Sequence, residues 1–261
     1  MKYGDLTSPD LGRTVGERVV VAPLGSVEQH GRHLPLLTDT LLVKGVADQV
    51  EARLSDRVLV TPVLWLGASD HHLDFPGTLS LSNSLYGQVI KSLVRCLVHA
   101  GATRIFLLNG HGGNIVPVDH ALTELSNESD QYDRTWIVSG TYWVLADDAM
   151  SADQHGMASP QLTHACEYET SMMLHLHGPL VHQDRAVEGR PPLKSKYWGE
   201  GSKGLVSAYK RFARQTASGS MGLPSAATAA KGASLVGAIS DKVVAFIEEF
   251  RTWPTLKSPN D

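Results

Sequence analysis

Apolar stretches of strand length alternate along this chain with longer stretches of helical period. Residues 18–23 (RVVVAP) are apolar at consecutive positions, as in a strand buried on both faces. Residues 38–54 read as a helix with Thr38 or Asp39 near its start, and residues 58–67 as a second strand. In residues 82–100, Leu85, Val89, Leu93 and Leu97 form one stripe of an amphipathic helix, with Gly101 placed to end it. Residues 104–108 (RIFLL), 116–125 and 135–138 give strand, helix and strand, and residues 226–250 a closing helix. This β-α-β-α order predicts an α/β fold, a three-layer α/β/α sandwich with a mostly parallel central sheet. Residues 150–160 and 183–222 are rich in Gly, Ser, Pro and charge and read as long loops over an active-site face. No internal repeat divides the chain, so one domain over residues 1–261 is expected.

Composition narrows the partners. Against 27 Asp+Glu stand 23 Lys+Arg, for a net charge of −4, with no basic run. Nucleic acid is therefore not an expected partner. The apolar runs fall well short of the roughly 18 residues a membrane span needs, and residues 1–13 lack the apolar core of a secretory signal. Cys96 and Cys166 are too few for a disulfide framework, which suits a reducing cytoplasm. The chain carries 12 histidines, and several of them sit at strand ends.

Three polar clusters carry the candidate chemistry. The first strand runs into G-S-V-E-Q-H-G-R-H-L-P, residues 25–35. In extended backbone Glu28 and His30 point the same way, whereas on a helix they would lie about 200° apart. Asp39, at the following helix start, can fold back as a further oxygen ligand. The third strand ends in N-G-H-G-G-N, residues 109–114. This puts His111 at the carboxyl edge of a parallel strand, where ligands bind in open α/β sheets. Asn114 is placed to cap the next helix or to face a substrate. In H-A-C-E-Y-E-T-S, residues 164–171, a helix opening at His164 would put His164 and Glu167 on one face. Glu169 falls off that face and reads as an orienting residue. Glu28, Asp39 and Glu167 bring three negative charges, which two divalent cations with a bridging hydroxide would balance. Mixed His/carboxylate ligation suits Zn, and after it Mn or Fe, better than Ca or Mg. In such a pair the bridging water is the expected nucleophile. His99, His120, His175, His177 and His182 read as surface or helix-face residues, and Cys166 as a packed thiol. The pair His71-His72 reads either as solvated loop or, at His72, as substrate-contacting.

The residues P-L-G-S-V-E-Q-H-G…H-L-P…T-D (23–39), F-P-G-T (75–78), N-G-H-G-G-N (109–114) and H-A-C-E-Y-E-T-S (164–171) resemble the creatininase (creatinine amidohydrolase) family, in order and over residues 3–240. The resemblance implies an α/β/α domain, a dinuclear metal centre, hydrolysis of a non-peptide or terminal C–N amide bond, and a homohexamer. It makes Glu28, His30, Asp39 and His111 metal ligands, with Asp39 bridging. His164 becomes the proton relay to the leaving nitrogen. Creatininases carry a glutamate two residues after the strand-end histidine, where this chain has Gly113. In N-G-H-G-G-N members the glutamate of the H-A-G-E motif takes that place, which makes Glu167 the fifth ligand here, with a catalytic part. Arg32 replaces a usual proline and Cys166 a usual glycine. Trp143 is placed to enclose a substrate ring, as creatininase tryptophans do. The expected substrate is a small cyclic amide or formamide. The alternatives are a peptidase of the mycofactocin-maturation type, with an open cleft, and a non-catalytic metal-binding scaffold. A structural site needs no proton shuttle, so His164 argues against the scaffold.

Overall fold

In the computed structural model, which describes residues 1–128, 132–189, 197, 206 and 208–256, this alternation becomes a parallel sheet covered on both faces. In chain order the elements are α1 (Ser8–Thr14), β1 (Val19–Leu24), α2 (Thr38–Arg53), β2 (Val58–Val60), α3 (Asn83–His99), β3 (Arg104–Asn109), α4 (Ile115–Glu128), β4 (Trp136–Thr141), the single turns α5 (Tyr142–Leu145) and α6 (Ala152–His155), α7 (Glu167–His177) and α8 (Ala229–Thr252). The strands lie in the order β2-β1-β3-β4, all parallel, with Val19 opposite Val58 on one side and Arg104 on the other.

Alternate strand residues feed two separate cores, which is why β1 and β3 are apolar at nearly every position. Val19, Val21, Phe106 and Leu108 pack with α2, α7 and α8. Val20, Ala22, Ile105 and Leu107 face α3 and α4. Chain connections thus leave β1 and β3 in opposite directions over opposite faces. This creates a crevice beyond their carboxyl ends, the place where open α/β sheets bind ligands.

Two elements depart from the sequence pattern. The second strand ends at Val60, because Pro62 has no N–H to give the ladder. Beyond it, Leu64 rejoins β1 in a single bridge, its N–H donating to Pro23 O at 3.0 Å. The helix after the third polar cluster begins at Glu167, not at His164. Ala165, in the left-handed region at φ 48°, breaks the turn that would have extended it. Of the 183–222 segment, residues 190–196, 198–205 and 207 lie outside the described residues. Among the described residues no helix is long and apolar enough to cross a membrane.

Candidate metal centre and active site

The end of β1 delivers Glu28 and His30, and the end of β3 delivers His111; all three are buried. Asp39 arrives from the first turn of α2, which docks tightly on the strand end. A Cβ on Gly25 would stand 2.6 Å from Thr40 Cα, so only glycine permits this approach. Thr40 Oγ1 donates to Ser26 O at 2.8 Å, and Ser26 Oγ donates to Asp39 Oδ2 at 2.8 Å. The side chain of Asn109 brackets His111, accepting from its N–H at 3.1 Å and donating to its carbonyl at 2.8 Å.

Asp39 lies between the two imidazoles: Oδ1 is 3.1 Å from His30 Nε2 and Oδ2 is 2.9 Å from His111 Nδ1. Glu28 Oε2 lies 3.4 Å from His111 Nε2, and Glu28 Oε1 is 3.4 Å from His72 Nε2 and 3.7 Å from His164 Nδ1. Glu169 joins this cluster. One ligand atom each of His30, Asp39 and Glu169 lies within 4.8 Å of the others, as do those of Glu28, His30 and His164, and of Glu28, His71 and His111.

The donor set fits divalent cations. Three carboxylates are packed together out of water, an arrangement that needs positive charge. His30 Nδ1 faces the Glu28 carbonyl at 3.2 Å, which can only accept, so that nitrogen carries the hydrogen and Nε2 faces a carboxylate. His30 Nε2 and Glu28 Oε2 are both buried without a hydrogen-bond partner. Protons respond to the same field. Burial disfavours a charged ring, yet Asp39 lifts His30 to about 10, and Glu28 with Asp39 lifts His111 to about 9. Burial raises Glu28 and Glu169 to about 7, while Asp39, despite burial, is held well below the carboxylate range by His30 and His111.

Glu167, expected as the fifth ligand, stands outside these groups. It is turned away from the cluster and accepts from Ala158 N at 3.1 Å, Ser159 N at 2.6 Å and Lys231 Nζ at 2.6 Å. It ties the 158–159 loop to α8. Two residues along α7, Glu169 faces inward instead, and its Oε2 also accepts from Ala165 N at 2.5 Å. Asn114 is likewise no cavity residue. It is fully buried, accepting from Ala68 N at 3.0 Å and donating to Gly25 O at 3.0 Å, so it staples neighbouring loops together. Cys166 is buried in the core, and burial pushes its thiol up to about 12.

Beside the cluster lies a cavity of about 190 Å³ walled by Trp143, His72, His164 and Phe212 among others. His164 Nε2 lies 2.8 Å from the Gln29 carbonyl, so that nitrogen carries the hydrogen and Nδ1 is left facing the site. Burial and the neighbouring His30 hold this ring neutral, well below the ordinary imidazole value. The Gln29 side chain is oriented by Gly31 N–H, which donates to Oε1 at 3.0 Å, so its Nε2 donates to His72 Nδ1 at 2.8 Å. His72 Nε2–H then faces Glu28. Phe212 stacks on His72 at 4.3 Å and meets the edge of His164 at 4.5 Å. Gln29 lies inside the first polar cluster but was given no role there, and Phe212 stands in no motif. Phe212 belongs to the 183–222 segment, which read as a long loop over an active-site face without singling out a residue.

Comparison with known proteins places the chain in a family. A family model described as Creatininase, creatinine amidohydrolase, matches residues 4–247. Creatinine amidohydrolase of Pseudomonas putida is 32% identical over 202 residues, 72% of this chain and 76% of that protein. The mycofactocin precursor peptide peptidase of Mycobacterium tuberculosis is 31% identical over 264 residues, 97% of this chain and 93% of its own. A solved structure described as "Creatininase Mn" superposes with a TM-score of 0.78 at 28% identity, covering 97% of this chain and 99% of the other. The family match and the buried donor set together place the chain in the creatininase family, as a metal-dependent hydrolase.

Proposed function

We propose that this chain is a dinuclear-metal amidohydrolase that cleaves a C–N bond in a small cyclic amide or formamide. Glu28, His30, Asp39, His111 and Glu169 would hold two divalent ions, with zinc, manganese or iron matching the mixed donors. Asp39, with one oxygen toward each imidazole, would serve both ions. The observation that carries the reading is the buried carboxylate–imidazole cluster opening onto a small cavity that Phe212 and Trp143 help close.

When bound, such ions supply Lewis acidity at the amide carbonyl and an attacking water of lowered pKa. The remaining work falls to side chains. His164, neutral and with Nδ1 facing the cavity, accepts the proton freed on attack and returns it to the leaving nitrogen. Gln29 fixes the tautomers of His164 and His72 through its carbonyl and its amide. His72 donates toward Glu28 and keeps that carboxylate aimed, and Trp143 walls the substrate. A cytoplasmic enzyme fits the unpaired Cys96 and Cys166, and a homohexamer is the assembly that the family resemblance implies.

One observation favours the peptidase reading. Beyond His71, Gly112 and Gly113 the cavity adjoins an open cleft of about 610 Å³ bordered by Tyr209, Lys210 and Arg211, with room for a longer chain. An activity panel of creatinine, hydantoins, formamides and short peptides, run on metal-reloaded protein, separates the two. The amidohydrolase reading expects turnover of a ring amide or formamide, with kcat lowered about 10²–10⁴-fold and metal content unchanged in His164→Asn. Turnover of peptides alone would replace it with the second reading, and full kcat in His164→Asn would remove the proton relay.

A further inference from the structure

Gly113 stands two residues beyond His111, and no side chain fits there. A Cβ would come within 2.1 Å of the Ala68 carbonyl, 2.4 Å of His111 Nε2 and 2.9 Å of His71 Cε1. The space alongside His111 is taken by His71, whose ring lies nearly parallel to that of His111, with centroids 5.8 Å apart and an interplanar angle of 17°. The turn Asp70–His72 that presents His71 is pinned from below: Ser69 N–H donates to Ser80 Oγ at 2.8 Å, and Ser80 Oγ donates to Asp70 Oδ1 at 2.6 Å. A ring nitrogen of His71, one of His111 and a carboxylate oxygen of Glu28 lie within 4.8 Å of one another. Glu28 is 1% exposed, and its Oε2, 3.4 Å from His111 Nε2, has no hydrogen-bond partner. His111 Nε2 also faces the Ala68 carbonyl at 3.2 Å and so carries the hydrogen, which leaves Nδ1, 2.9 Å from Asp39 Oδ2, as the nitrogen free to ligate. With the buried, unpartnered Glu28 oxygen beside this ring and His71, the cluster marks a place for a cation.

We propose that His71 is a protein ligand of the divalent ion held by Glu28 and His111, supplying a neutral imidazole. The inference rests on the metal-centre reading above and extends it. It gives that ion two imidazoles, His71 and His111, beside Glu28 and Asp39. An added imidazole nitrogen shifts preference away from manganese and toward zinc or cobalt. His71 is half-buried on a turn, so truncating it leaves both cores intact.

The test loads metal-free wild type, His71→Ala and His71→Glu with cobalt, zinc or manganese. It reads ions bound per chain after gel filtration, together with the cobalt absorption spectrum. The expected result is two ions in wild type and one retained ion in His71→Ala, with at least a tenfold weaker affinity for the second and an altered cobalt spectrum. His71→Glu should recover the second ion with its preference moved toward manganese. Thermal unfolding of metal-free His71→Ala within a few degrees of metal-free wild type confirms that the loss is local. Two ions in His71→Ala, with wild-type affinity and spectrum, would overturn the role of His71 and leave the metal centre standing. No ion bound to wild type would overturn both.

Discussion

Two glutamates on one helix turn have opposite fates. Glu167 is buried against Lys231 and two backbone amides, and Glu169 is aimed at His30 and Asp39. Glu167→Gln should lower stability by about 2–4 kcal/mol, the cost of leaving a largely buried partner charge unpaired, while both ions remain. Burial raises the Glu167 carboxyl, but Lys231 and the two amides outweigh it and hold it below its ordinary value. Its contribution therefore persists at neutral pH and is lost only as pH falls through that lowered value. Glu169→Gln should do the reverse, losing one ion with little loss of stability in the metal-free protein. Thermal denaturation paired with elemental analysis of both variants checks this, and an ion lost from Glu167→Gln would return the ligand role to that residue. At this scale the sequence was legible where backbone period alone decides. Glu28 and His30 share a direction because the segment is extended, and His111 sits at a strand end because the apolar run 105–108 leads up to it. The choice between Glu167 and Glu169 was not legible. It turns on where α7 begins, and that is set by the left-handed turn at Ala165, a residue with no propensity for it.

Among the elements, the approach of α2 to the end of β1 decides whether Asp39 reaches the imidazoles. Gly25→Ala would drive a methyl against Thr40 Cα and Oγ1. Because the obstacle includes backbone, the first turn of α2 must shift. The expected cost is about 1–3 kcal/mol, as for overpacking elsewhere, together with weaker retention of the ion pair. Metal content and melting temperature measured on the same preparation check both parts, and unchanged metal retention would show that Asp39 tolerates the shift. Most elements could be read from pattern. Residues 38–54 and 82–100 form helices within a residue or so of the expected bounds, and β4 runs to Thr141, which delivers Trp143 to the cavity. The segment carrying Phe212 read as a loop over the active-site face, but which residue it brings in could not be read, because packing on His72 and His164 depends on loop tertiary contacts that leave no periodic trace.

For the whole molecule, the sheet order brings β1 and β3 side by side with their connections on opposite faces. Two buried cores then hold four acid and imidazole side chains, Glu28, His30, Asp39 and His111, at the crevice, and α7, packed in one of them, brings Glu169. In the metal-free chain, protons neutralise this cluster. His30 and His111 keep theirs until pH rises through about 10 and about 9. A cation must expel those protons, so its affinity should climb as pH rises from 6 to 8. Calorimetric titration of the metal-free protein with zinc, at neutral pH in two buffers of different ionisation heat, tests the central claim most directly. The account predicts two ions taken up per chain, with protons released to the buffer. A chain that takes up no zinc, or a single ion without proton release, would contradict it.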